Sequence, residues 1–290
     1  MNWLLLRQWI SQELGQTPGP LEVRPVSGGN INQGFRLEGE GCCWFLKSNR
    51  ADHLKMFQAE ATGLQNLQQC NAIRVPRVDG VGSLENESFI LMEFIELTGS
   101  PEPDRMATAL ASLHRITAPA FGFEIDNTIG ATPQINSQSG DWVEFWKQHR
   151  LLFQLKLAKV NGLKSSTIDL GFRLVDNLDA FFDSHLIQPA LLHGDLWQGN
   201  YAADAQGNVV LYDPAPYYGD HEADLAMMEL FGSPGDRFFS RYHEHYPISS
   251  DYPVRRELYN LYHLLNHANL FGASYEAQVN RSLEFLLSEI

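Results

Sequence analysis

The chain has 290 residues, of which 44% are hydrophobic and 19% charged, enough for a substantial core and unlike a disordered chain. A net charge of −14 argues against the clustered cations that nucleic acid demands, so no nucleic-acid partner is expected, and any anionic nucleotide would need local cations to reverse the field. No window approaches the roughly 20 apolar residues of a membrane span, and three Cys, two of them adjacent, make a poor disulfide framework, so a cytoplasmic protein with reduced thiols and no membrane partner is expected.

In chain order, Trp3, Leu6 and Ile10 fall at helical spacing, which predicts an amphipathic N-terminal helix. Three short strand runs follow at 21–26, 34–39 and 42–47, separated by Gly-containing turns as in antiparallel hairpins. Leu54, Phe57, Ala61, Leu64 and Leu67 then mark one apolar helix face. Two further strands are predicted at 74–80 and 88–95, around the turn "GSLENE". Beyond Gly99 the pattern becomes helical, with segments near 103–116, 141–161, 165–184, 221–231, 254–271 and 275–289, and strand-like pieces at 190–193 and 208–212. The expected class is α+β: a small N-terminal antiparallel-sheet lobe over residues 1–97 and a larger, mostly helical lobe over 98–290, with a ligand cleft between them.

The chemistry concentrates in "HGDLWQGN" and "VVLYDPA". Phosphoryl transfer needs an acid to deprotonate the attacking hydroxyl and oxygen ligands for the Mg²⁺ ions on the nucleotide phosphates. The kinase catalytic loop supplies both through H-x-D-x-x-x-x-N, followed by a further Asp after a strand. His193, Asp195, Asn200 and Asp213 match that order and spacing. Alone the spacing is weak, and a simple HGD turn would explain it. Three N-terminal features add to it: the turn "SGGNINQGF" between two strands, Lys47 at the end of a strand, and Glu60 on the following helix. Each has a bland account as a hairpin turn, an edge charge or a solvated helix position. Their shared order, each on the right kind of element, argues for a kinase-like protein.

The turn is neither G-x-G-x-x-G nor a Walker A motif, which points away from protein kinases toward small-molecule kinases of similar fold. The motifs "SGGNIN", "FLKSN", "LMEFIEL", "FGFEIDNTIG", "LLHGDLWQGN" and "DPAPYYGDHEADLAMMELFG" together resemble the fructosamine kinase (ketosamine 3-kinase) family, related to aminoglycoside and choline kinases. The resemblance runs from about Val26 to Leu230. It implies a protein-kinase-like fold and an ATP- and Mg²⁺-dependent enzyme that phosphorylates a sugar hydroxyl of ketosamines, free or on glycated protein, as amine repair. Asp195 would be the catalytic base, with Asn200 and Asp213 holding Mg²⁺. Lys47 and Glu60 would clamp the phosphates under Gly28, Gly29 and Asn30, and the backbone of Glu93 and Ile95 would pair with adenine.

Trp197 would wall the sugar side, although packing between lobes explains it nearly as well, and Tyr217, Tyr218 and Glu222 would line the acceptor pocket. Asp224 would brace the catalytic loop. Two departures from the family pattern, Asp220-His221 and Gln138, would bear on substrate preference. Asn30 stands where some relatives carry a bridging Cys, so no redox switch of that kind and a monomer are expected. A kinase for another small hydroxylated amine, or a non-catalytic nucleotide-binding module, are the alternatives.

Overall fold

The computed structural model describes residues 1–26, 31–182 and 186–290. Helix α1 (Trp3–Glu13) is capped by Asn2, whose side chain accepts the Leu5 amide, and it lies on a five-stranded antiparallel sheet. The strands are β1 (Glu22–Val26), β2 (Gln33–Gly39), β3 (Cys42–Arg50), β4 (Val78–Leu84) and β5 (Glu87–Glu93), in the order β1-β2-β3-β5-β4, with helix α2 (Leu54–Leu67) between β3 and β4. Strand alternation sorts the side chains. Trp44, Leu46, Phe89 and Leu91 pack with Leu6 and Ile10 of α1 in one cluster, whereas Ile90 and Met92 join the main core with Phe57 and Leu64 of α2. Lys47 follows Leu46, so it points away from α1 and toward α2. The fourth strand begins four residues later than the 74–80 run suggested, because Arg74 instead bridges to Val210 in the helical part.

The helical part comprises α3 (Pro103–His114), α4 (Trp142–Trp146), α5 (Leu152–Val160), α6 (Ser165–Val175), α7 (Glu222–Leu230), α8 (Asp236–His245), α9 (Tyr252–Phe271) and α10 (Glu276–Ser288). Short ladders join β6 (Asn127–Ile129) to β7 (Thr132–Gln134), β8 (Ala190–Leu192) to β11 (Tyr217–Gly219), and β9 (Tyr201–Ala203) to β10 (Val209–Leu211). The segment expected as one helix over 141–161 is interrupted by a π-helical turn at Lys147–Leu151, which carries the buried Arg150. The sheet-rich and helical parts meet along several seams. Arg74 pairs with both Glu93 and Asp204, and Thr98 donates to the Asp204 carbonyl. On α2, a β-carbon at Gly63 would lie 2.9 Å from Pro216, so the helix rests directly on the chain after Asp213.

Candidate active site

The motif from His193 to Asn200 sits where β8 ends, in a turn closed by short ladders and by one buried carboxylate. Asp224, in the first turn of α7, accepts the His193 amide at 2.7 Å and the Gly194 amide at 2.9 Å, and His114 donates to it through Nε2 at 3.2 Å. Although burial opposes its charge, these bonds hold the Asp224 carboxyl below the usual carboxylate range. Burial lowers the pKa of His114, so its neutral ring accepts the Tyr242 hydroxyl at Nδ1, 2.6 Å away. The His193 ring is assigned the same way. The Asp195 amide donates to Nδ1 at 3.3 Å, which leaves Nε2–H to donate to the Tyr212 carbonyl at 3.0 Å. His193 thus ties the loop to the strand that delivers Asp213.

Asp195 is half-buried next to Asn200, whose amide nitrogen donates to the Asp195 carbonyl at 2.9 Å and to its carboxylate at 3.2 Å. Burial, together with the negative charge of Asp213, raises the Asp195 pKa to about 7 against the Asn200 hydrogen bond. Asp213 adopts a left-handed φ of 57°, a strained conformation for a non-glycine residue, and its side chain remains 47% exposed.

Lys47 bridges the two parts of the molecule. Its ammonium donates to Glu60 Oε1 at 2.5 Å and also to Asp213, so one cation joins β3, α2 and the second residue after β10. Burial works against the charge, but Asp213 and Glu60 outweigh it and raise the Lys47 pKa. Burial raises the Glu60 pKa, with Lys47 pulling the other way. Asn200 Oδ1 and the Asp213 carboxylate fit Mg²⁺: both are hard oxygen donors, and a small number of protein ligands suits a cation that keeps phosphate oxygens and water.

Glu93 ends β5; its amide donates to the Arg77 carbonyl at 2.8 Å and its carboxylate pairs with Arg74, while Ile95 lies two residues on in the half-buried connector. The turn residues Gly28, Gly29 and Asn30 lie outside the described residues. Trp197 is half-buried, packed over Gly199 and edge-on to Phe231 at 6.3 Å. Tyr218 is half-buried beside Phe123, and its backbone pairs with Gly122.

Two residues expected at the acceptor pocket are not there. The Tyr217 ring is 2% exposed, stacked on Phe145 and covered by the Arg150 guanidinium at 4.1 Å, so it is core. Glu222 is fully buried in an ion pair with Arg255 at 2.8 Å and accepts the Ser249 amide, so its carboxylate reaches no solvent-exposed face. Asp220 and His221 are likewise buried, with Asp220 accepting the Tyr259 hydroxyl at 2.6 Å. No motif in the sequence marks Arg150. It is fully buried, donating to the Ile135 carbonyl at 2.7 Å and to Asn136 at 2.8 Å, and no periodicity marks such a residue.

Lys47 paired with Glu60 of α2 and with Asp213, beside the Asp195–Asn200 pair, on an antiparallel-sheet part joined to a helical part, is the arrangement expected of a kinase-like phosphotransferase. An aminoglycoside phosphotransferase solved with AMP-PNP and hygromycin B has the same fold, with a TM-score of 0.64 at 14% identity over 98% of each chain. The model of the fructosamine kinase family matches residues 2–289, and the chain belongs to that family. It is 41% identical to the protein-ribulosamine 3-kinase of Arabidopsis thaliana, named as chloroplastic, over 94% of this chain and 84% of that one. A crystal structure from Haemophilus somnus, of a protein assigned as a fructosamine-3-kinase, superposes with a TM-score of 0.90 at 29% identity, covering 98% of this chain and 97% of that one. Among the described residues no helix is long and apolar enough to cross a membrane.

Proposed function

We propose that this protein transfers the γ-phosphate of ATP to the 3-hydroxyl of ketosamines such as ribulosamines and fructosamines, free or carried on protein. The observation that supports this most directly is the meeting of Lys47, Glu60 and Asp213 next to half-buried Asp195 and buried Asn200, in a chain of the fructosamine kinase family. Lys47 binds the nucleotide phosphates and is kept oriented by Glu60. The Glu93 carbonyl and Ile95 amide take the adenine edge, and residues 97 and 98 mark the division between the two lobes. Asn200 and Asp213 hold Mg²⁺, which when bound neutralises charge on the phosphate oxygens.

Asp195 accepts the proton of the attacking hydroxyl. Trp197 and Tyr218 flank the acceptor, whose protonated amine suits an acidic protein with a net charge of −14. Phosphate on the 3-oxygen is a leaving group whose elimination frees the amine, so the reaction serves deglycation. The three free cysteines fit a reducing, cytoplasmic setting and a monomer.

The test is ATP-dependent turnover across ribulosamine, fructosamine, choline and aminoglycoside acceptors. Ketosamines should be turned over, and Asp195→Asn should lower kcat by about 10²–10⁴, the range for a lost general base. Turnover of choline or an aminoglycoside alone would overturn the substrate assignment. Undiminished activity of Asp195→Asn would overturn the base.

A further inference from the structure

The connector after β5 is held in place by polar ties rather than by burial. Residues 96–100 are all exposed, and Leu97 keeps 44% of its surface open. Both ends of the segment are fastened instead to the β9–β10 hairpin. At the near end, Arg74 forks between the Glu93 carboxylate and Asp204, the latter at 2.7 Å, while its own backbone pairs with Val209 and Leu211 of β10. At the far end, the Thr98 amide donates to the Ala203 carbonyl at 2.8 Å and the Ala203 amide to the Gly99 carbonyl at 2.7 Å. Between these two ties, Leu97 bridges to Asp204.

Asp204 is the fixed point of this arrangement. It is 2% exposed, and besides Arg74 it accepts the Gln206 and Asn208 amides at 2.9 Å and the Asn208 side chain at 3.0 Å. The turn of the hairpin thus presents a carboxylate with three local donors, and Arg74 passes its position on to Glu93. The other end of the same hairpin holds Asn200, just before β9, and Asp213, two residues after β10. The Tyr212 amide donates to the Asn200 carbonyl at 3.1 Å and closes that end. Strands of this length span only about 10 Å, so a shift at the turn is felt at the far end.

We propose that Arg74 is a positioning residue for the nucleobase: through Glu93 it sets the connector backbone against the hairpin that carries Asn200 and Asp213, so one element places both base and phosphates. The inference rests on the nucleotide reading given above, in which the Glu93 carbonyl and Ile95 amide take the adenine edge. Backbone groups read a base only if the backbone is held. A guanidinium fork holds two carboxylates at a fixed separation, where an ammonium is a single point charge. Without Arg74, Asp204 keeps its three turn donors, and Glu93, 28% exposed, is solvated. Neither carboxylate is stranded, so the fold survives and the alignment of the connector is what is lost.

The experiment measures, by calorimetry with Mg²⁺ present, the Kd of ADP and of ribose 5-diphosphate, which is ADP without its base. The proteins are the parent, Arg74→Met, Glu93→Gln and Arg241→Met. Arg74→Met should weaken ADP about tenfold, the scale of one lost charge-assisted hydrogen bond, and leave ribose 5-diphosphate within about twofold. Glu93→Gln weakens one arm of the fork and leaves the Asp204 arm intact, so it should shift ADP the same way by less. In turnover, Arg74→Met should raise the KM for ATP with kcat nearly held. Arg241, paired with Glu244 on the surface of α8, serves as the control, and its variant should keep both parental values. Unchanged ADP affinity in both Arg74→Met and Glu93→Gln, or equal fold losses for the two ligands, would overturn the inference alone. A parent that binds ADP no more tightly than ribose 5-diphosphate would overturn the adenine reading of Glu93 and Ile95 and this inference with it.

Discussion

Gly194 stands between His193, just past β8, and Asp195, the base proposed here, at a φ of +81°. A β-carbon there would lie 2.0 Å from the Ala215 carbonyl oxygen, which is backbone and cannot rotate away. Left-handed strain and this clash act together, so Gly194→Ala should cost at least about 3 kcal/mol, seen as a fall of several degrees in Tm together with lost activity. A variant that melts with the parent would refute the tight packing of the 193–195 turn against 215. At this scale the structure brings Lys47, Glu60 and Asp213 together, and Asp195 with Asn200, as an order and spacing suited to phosphoryl transfer suggest. Tyr217 and Glu222 were misread for a physical reason: adjacency to a motif in sequence says nothing about which way a side chain faces. Tyr217 is on the ladder face covered by Arg150, whereas Tyr218, next in the strand, faces the other way.

Helix α7 is joined to α9 by the Glu222–Arg255 pair, whose members are 0% and 1% exposed. Breaking such a pair leaves one buried charge unpaired. Glu222→Gln should therefore destabilise by about 3–5 kcal/mol in denaturant unfolding, while the double change Glu222→Leu/Arg255→Met should recover most of that loss. A single variant as stable as the parent would count against the buried pair. Long amphipathic elements such as α2, α9 and α10 were readable because a packed helix must show one apolar face. Strands β8 and β10 were readable as the apolar pieces at 190–193 and 208–212, whereas β6, β7, β9 and β11 were not, since each spans three residues and cannot show a period. Helix α8 escaped for a related reason: only Phe238 and Tyr242 in it are buried.

For the molecule as a whole, buried histidines set the response to acid. Burial holds His114, His193 and His263 below their ordinary pKa, His263 down to about 3. These groups are neutral when folded but take up protons near pH 6.5 when unfolded. Depressed folded values mean stability that is present above pH 6.5 and lost as the pH falls below it, by up to about 1.4 kcal/mol per pH unit for each histidine. Asp195, raised to about 7, gains stability over the same fall in pH, so the histidine contribution is read by comparison: from pH 8 to pH 5 the Tm of His263→Phe should fall less, or rise more, than that of the parent. Identical pH profiles of Tm in the parent and His263→Phe would contradict neutral burial of His263. The same contrast separates what the chain determined from what the fold decided. Local sequence determined the helix faces, the strand-rich start, and the spacing of Lys47, Glu60, Asp195, Asn200 and Asp213, because periodicity and reaction chemistry are both written in short range. Only tertiary structure decided that Lys47 joins Glu60 to Asp213 across 166 residues, that Arg150 covers Tyr217, and that Arg74 joins Glu93 to Asp204. Those contacts depend on how elements pack, and packing couples residues whose separation in the chain carries no signal.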